Sequence, residues 1–178
     1  PLTMLNSDYK TLTSILNPRI ARVIHQIVSS PQLGFVPGRI ITESSHLTKL
    51  LQAFLDENDE EGILVALDWE KAFDKVDQDK MAEALRRLRV PHKMVAAITS
   101  LYAGPRFRVK HEGKLSSWYP QASGIRQGCP LSPYLFLFVH STIMNLVDQQ
   151  VEDKLGYVPW VHSANTPLTQ LALSLIHV

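Results

Sequence analysis

Asp68 is the residue of this sequence with the clearest chemical task. It follows Gly62-Ile63-Leu64-Val65-Ala66-Leu67, five consecutive apolar residues after a glycine. A run that short reads as a strand buried on both faces, with Asp68 at its carboxyl end where the chain leaves the sheet. A carboxylate sealed inside a core is strongly unfavourable unless it is paired or metal-bound. The position therefore suits a metal ligand facing a cleft, and a loop-capping aspartate is the plainer alternative. Lys71-Ala72-Phe73-Asp74 follows at once, placing an aromatic ring and a second acid close behind it.

A second stretch with chemical potential is Ser123-Gly124-Ile125-Arg126-Gln127-Gly128-Cys129-Pro130-Leu131-Ser132-Pro133. Gly124 and Gly128 flank Arg126 and Gln127, and the absence of a Cβ lets backbone approach a ligand closely. Cys129 invites a thiol-nucleophile reading, but no histidine is placed by local sequence to activate it, so packing is the simpler role. Pro31-Gln32-Leu33-Gly34-Phe35-Val36-Pro37-Gly38-Arg39-Ile40 is turn-rich, and its one guanidinium, Arg39, suits a phosphate chain. An ordinary surface loop would use the same residues.

The elements that position these groups are legible from periodicity. Asn6, Ser7 and Asp8 are N-cap candidates for a helix with Leu12, Ile15, Leu16, Ile20, Val23, Ile24 and Ile27 at helical spacing, and Pro18 should break or restart it. From Thr42 or Glu43 a helix carries Leu47, Leu50, Leu51, Phe54 and Leu55 on one face as far as an acidic turn at 56–62. Asp77 caps a helix with Met81, Ala84, Leu85 and Leu88 inward, which Val90-Pro91 ends. A further helix buries Val95, Ile98, Leu101 and Tyr102 and stops at Gly104-Pro105. Phe107 and Val109 alternate with Arg106, Arg108 and Lys110, the pattern of a half-buried strand. Glu112-Gly113 then turns it back through Leu115 and Trp118. Pro130 and Pro133 introduce a long apolar helix ending near Val151.

With 178 residues and 45% of them hydrophobic, the chain can bury the core of one domain or slightly more. A formal net charge of +1 with 20% charged residues excludes a disordered polyelectrolyte and gives no overall basic signature for nucleic acid. Through Lys49, however, five Lys/Arg stand against two acids, mild support for phosphate contacts there. A single cysteine excludes an internal disulfide and a cysteine-rich zinc site. No stretch is apolar enough to span a membrane and the N-terminus is no signal peptide, so a soluble intracellular protein is expected. Because the chain begins at Pro1, a fragment is expected as well.

Four stretches in order resemble the reverse transcriptase domain of non-LTR, LINE-like retrotransposons. They are Pro1-Leu2-Thr3-Met4-Leu5-Asn6-Ser7-Asp8-Tyr9-Lys10, the Gln32–Arg39 string, Leu67-Asp68 with Lys71-Ala72-Phe73-Asp74, and Gly124–Pro133. The resemblance covers roughly residues 1–155 and implies an α+β fold. In it, 1–61 would be a helical fingers part and 62–155 a partial palm, an antiparallel sheet backed by helices. Residues 156–178 would be a tail without a family motif, and a thumb is expected to be absent. The implied function is RNA-templated DNA synthesis by a two-metal mechanism. Asp68 would be catalytic and hold Mg2+. Ala72, Phe73, Gln127 and Gly128 would line the nucleotide site, with Phe73 excluding a 2′-hydroxyl by clash. Arg39, Gly124 and Arg126 would touch template or backbone. RNA template, DNA primer or RNA–DNA hybrid, and deoxynucleotide triphosphates are the implied partners, with no membrane.

The resemblance fails at one place. The second metal-binding motif, Tyr/Phe-Ala-Asp-Asp on a hairpin, is missing from the sequence. After Pro133 the acids are Asp148, Glu152 and Asp153 alone, in or at the end of the long helix. An inactive chain is therefore expected, the alternative being a non-catalytic nucleic-acid-binding remnant of such an element.

Overall fold

The computed structural model describes residues 4–29, 32–61, 66 and 68–151, with side chains described through Leu146. Its helices are α1 (Ser7–Ala21), α2 (Ile24–Ile27), α3 (Thr42–Asn58), α4 (Gln78–Arg87), α5 (His92–Ser100) and α6 (Ser132–Val151). Between α5 and α6 lie four short strands, β1 (Arg106–Phe107), β2 (Lys110–His111), β3 (Lys114–Leu115) and β4 (Tyr119–Pro120). The architecture is α+β, as expected. The chain forms two compact units, one from 1–20 with 71–139 and one from 21–70 with 140–178. The expected strand at 62–67 lies outside the described residues except for Ala66, which is exposed and irregular. The tail at 156–178 lies outside them too.

In the first unit, α1 runs through Pro18, which does not break the helix as expected. Proline removes the hydrogen bond to Ser14, but both residues lie on the exposed side, where water can satisfy the freed carbonyl. The buried stripe also differs from the apolar one: Thr13, Leu16 and Ile20 are inward, whereas Leu12 and Ile15 are 41% and 52% exposed. Thr13 is accommodated because its hydroxyl bonds back to the carbonyls of Tyr9 and Lys10 at 2.9 and 3.0 Å.

The Asp77 cap forms as expected, its carboxylate accepting from the N–H groups of Asp79 and Lys80 at 2.9 Å each. Met81, Ala84 and Leu85 are buried on α4, as are Val95 and Ile98 on α5, against which α4 packs. Arg89, at φ 57°, terminates α4 in the left-handed conformation usually given to glycine. Val90 N–H returns to the Leu85 carbonyl and Arg89 N–H to that of Arg86, both at 3.0 Å, closing a Schellman motif. In α6, Leu135, Phe136, Leu137 and Phe138 are all buried, a stretch apolar on every side and covered on every side.

The hairpin departs from expectation. β1 pairs with β4 and β2 with β3, both antiparallel, and Glu112 and Gly113 both take positive φ in the connecting turn. Neither of its faces is buried, and Phe107, Leu115 and Trp118 stay 44%, 50% and 57% exposed. Alternation identified a strand but did not supply a layer for it to cover.

In the second unit, Ile24, Val28, Leu33 and Val36 are buried. Arg39 donates from Nη1 to the carbonyls of Ser29 and Gln32 at 2.7 and 2.5 Å, tying the loop before α3 to itself. The expected apolar face of α3 is largely open: Leu50 is 64% exposed, and Ser44 is the helix residue that is buried. Periodicity marks a stripe and leaves undetermined what lies over it. Trp69 meets His140 edge-on, ring centroids 6.3 Å apart at 83°.

Burial holds the His140 imidazole below its ordinary value of 6.5. The unfolded chain therefore takes up a proton at a pH where the folded one does not. The His140 contribution to stability is complete above the unfolded value and declines as pH falls through 6.5 toward the folded value. The melting temperature should be lower at about pH 5.5 than at about pH 7.5, and His140→Gln should narrow that gap. An unchanged gap by circular dichroism would remove His140 from the acid response.

Candidate functional site

The first unit brings the two chemically promising stretches into direct contact. Lys71, at φ 53°, opens a compact turn that Lys75 N–H closes onto the Lys71 carbonyl at 3.0 Å. This turn seats on the segment after β4. Gly124 N–H donates to the Val76 carbonyl at 2.7 Å, and Ile125 N–H donates to that of Phe73 at 2.9 Å. The Ser123 hydroxyl donates to the Asp74 carbonyl at 3.2 Å, and the Gln127 amide reaches the Asp74 carboxylate at 3.4 Å, a long and weak contact. Gln78 and Gln121 both donate to the Gly124 carbonyl at 3.1 Å. Thus Gly124 is bound at both its N–H and its C=O.

Only glycine fits there. A Cβ at 124 would stand 2.8 Å from the Asp74 carbonyl oxygen and 3.0 Å from its Cα, and φ at Gly124 is +87°. Sequence reading assigned Gly124 to template or backbone contact; here its backbone is buried against the turn that follows Asp68 in sequence. Sequence reading gave no role to Asp74, Gln78 or Gln121. Asp74 and Gln78 reach this segment across 53 and 46 residues of chain, a pairing that no local pattern displays.

Phe73 is 8% exposed, with its ring against Phe136 of α6 at 5.5 Å between centroids. Ala72 is half-buried beside it. Gly128 is exposed with φ +87°, so its backbone is open to close approach by a flat ligand. The Arg126 guanidinium lies over the Tyr9 ring, 4.6 Å from its centroid, and Ser132 Oγ donates to the Arg126 carbonyl at 2.7 Å. Tyr9, Tyr102 and Cys129 gather beneath. Burial pushes the Tyr9 phenol far up, with Tyr102 and Cys129 adding to the effect, and burial raises Tyr102 as well. Neither phenol makes a hydrogen bond of full geometry, and burial is the main cause that keeps both neutral. Cys129 is buried, which fits the packing role.

The other two predicted residues belong to the second unit. Asp68 is exposed in irregular chain, and Arg39 spends two donor contacts on its own loop. Among the described residues no three His, Cys, Asp or Glu side chains gather to hold a metal ion. The donor that the sequence singled out among the described residues is the Asp68 carboxylate, and a two-metal site takes more than one such group.

The family described as reverse transcriptase (RNA-dependent DNA polymerase) matches residues 1–162. The chain belongs to that family. Its similarity extends to the transposon TX1 uncharacterized 149 kDa protein of Xenopus laevis, 30% identical over 136 residues, 76% of this chain and 10% of that one. The retrovirus-related Pol polyprotein from type-1 retrotransposable element R2 of Nasonia vitripennis is 30% identical over 161 residues, 89% of this chain and 15% of the relative. The probable RNA-directed DNA polymerase from transposon BS of Drosophila melanogaster is 29% identical over 140 residues, 76% of this chain and 15% of the relative. These relatives mark the chain as a reverse transcriptase domain of the non-LTR, LINE-like kind. It spans between a tenth and a sixth of their lengths. The family acts on a nucleic-acid template with nucleotide substrates and uses divalent metal ions. No described helix is long and apolar enough to cross a membrane.

The contact at Gly124 can be tested against a control in the same unit. Gly104 also has positive φ, +61°, but nothing lies within 4 Å of a Cβ built there. Gly104→Ala should cost about 1–2 kcal/mol, the left-handed penalty alone. Gly124→Ala should cost more, because the Asp74 backbone has to move. Urea midpoints at constant slope measure both, and equal losses would show that the turn yields freely.

Proposed function

We propose that the chain contributes the fingers part (1–61) and part of the palm (62–155) to an RNA-directed DNA polymerase of a non-LTR retroelement. The observation that carries this reading is the clasp between residues 73–76 and 123–127. It joins the segment that follows Asp68 in sequence to the segment bearing Gln127 and Gly128, through bonds that only glycine at 124 permits.

In this reading Gln127 and the open backbone of Gly128 position the base pair. Asp74 orients the Gln127 amide, and Ala72 and Phe73 border the sugar. Phe136 backs the Phe73 ring, so that an edge held in place excludes a 2′-hydroxyl by contact distance rather than by a hydrogen bond. Arg126, flat on Tyr9, and Arg39 contact template or backbone phosphate. Asp68 is the metal-binding carboxylate. Bound Mg2+ would neutralise charge on the triphosphate and the attacking oxygen. RNA template, DNA primer and deoxynucleotide triphosphates are the corresponding partners.

The same reading sets a limit on this 178-residue chain, whose sequence contains no Tyr/Phe-Ala-Asp-Asp string. One carboxylate supplies too few ligands to fix two ions. On a primed RNA template with magnesium or manganese the purified chain should incorporate no deoxynucleotide. Extension above background, abolished by Asp68→Ala, would overturn that limit.

In a longer polypeptide that joins this domain to an acid pair, extension should occur and Asp68→Ala should abolish it. Phe73→Val in that polypeptide should raise ribonucleotide use relative to deoxynucleotide by roughly 10- to 100-fold. Unchanged sugar preference with intact polymerisation would leave Phe73 as a core residue packed on Phe136.

A further inference from the structure

The hairpin between α5 and α6 contributes nothing to the clasp except its exit through Gln121, and it covers no core. Four of the eighteen Lys/Arg residues but one of the seventeen acids fall between Pro105 and Gln121, so this short piece is far more basic than a chain of net charge +1. Arg106, Lys110 and Lys114 form no ion pair among the described residues. Arg106, Arg108 and Lys110 alternate along the outgoing arm of the hairpin, which runs from β1 into β2.

Three large aromatic rings stand in the same piece, each roughly half exposed: Phe107 44%, Tyr119 46% and Trp118 57%. They are ordered despite that exposure. Phe107 and Tyr119 are partners across β1 and β4, with ring centroids 5.8 Å apart. The Arg108 guanidinium lies 4.6 Å from the Trp118 centroid. A bulge sets that stack. Phe107 pairs with Tyr119, and Ser116 N–H donates to the Val109 carbonyl at 2.9 Å. Arg108 alone thus faces both Ser117 and Trp118, the two-against-one count that twists a ribbon and re-aims a side chain.

We propose that the 106–119 hairpin docks a single-stranded polynucleotide, a base of which stacks on Trp118 while its phosphates follow the cations on the same face of the ribbon. A planar ring set among cations that form no ion pair among the described residues matches a partner that is itself alternately planar and anionic. An acidic peptide would use the charge and leave the rings unoccupied. A duplex hides its base faces, so it would likewise offer the rings nothing. The inference does not depend on the polymerase reading, because it invokes neither Asp68 nor the clasp.

The test is fluorescence anisotropy of a labelled 20-nucleotide oligouridylate with the full chain, without nucleotide or divalent ion. Trp118→Ala should weaken binding by about 5-fold or more, the loss of one stacked base, and Trp118→Phe should recover most of it. Replacing Arg106 and Lys110 by glutamine should lower the slope of log affinity against log salt by about 1.4, since each single-strand phosphate contact contributes about 0.7. Single-stranded DNA should bind much as RNA does, and duplex more weakly. Unfolding midpoints check that the variants stay folded, which their exposed positions favour.

The inference is overturned if both sets of variants bind and respond to salt as the parent does. Preference for duplex, or capture by phosphatidylserine vesicles without oligouridylate binding, overturns it as well. Such a failure leaves the polymerase reading standing, and a failure of primer extension leaves the hairpin standing.

Discussion

Backbone touches backbone where Asp74 meets Gly124, and the organisation of the first unit follows from that approach. A peptide group buried there must find partners, since an unpaired buried donor or acceptor costs about 1–3 kcal/mol. Gly124 finds all of them: its N–H on Val76, its C=O on two glutamine amides. The neighbouring bonds from Ser123 and Ile125 then fix the turn in both position and rotation. Any side chain at 124 would separate the two segments by the width of a methyl group and break this set together.

Around the clasp the packing is apolar and closed, and the few polar groups within it are controlled. Ile125, Leu131 and Leu135 are essentially without solvent exposure beneath it. Tyr9 and Tyr102 bring phenols into the same layer, where burial keeps them neutral. Arg126 is a strong cation at the edge. Its guanidinium lies over the Tyr9 ring and its backbone is pinned by Ser132, and it has no carboxylate partner among the described residues. A cation kept unneutralised at the rim of a closed core is suited to an anionic ligand.

Under the two proposals made above, the chain would present charge to nucleic acid in two ways. At the clasp, cation and amide sit on a rigid, buried frame, which favours fixed geometry. In the hairpin, cations and rings stand on a thin ribbon held by its own cross-strand pairs, which favours tolerance of sequence over geometry. The near-neutral total charge conceals both, because most of the acids lie elsewhere in the chain.

Family membership, the helices after Asp77 and the turn at Glu112-Gly113 were legible in the sequence, since each depends on residues close together along the chain. A cap, a 3.6-residue period and a pair of positive-φ positions are local facts, and the motif at 124–133 is a contiguous string. Tertiary structure decided the rest. Pro18 stays within α1 because its side faces water. Leu50 and Trp118 are exposed because pattern specifies which face is apolar, not whether another layer exists to cover it. Arg39 turns to its own loop, and Asp74 comes within 3.4 Å of the Gln127 amide from 53 residues away in sequence. Glycine at 124 was visible from the beginning. That it has to be glycine depends on an atom 50 residues away in sequence, the Asp74 carbonyl oxygen, which only the folded chain places 2.8 Å from where a Cβ would be.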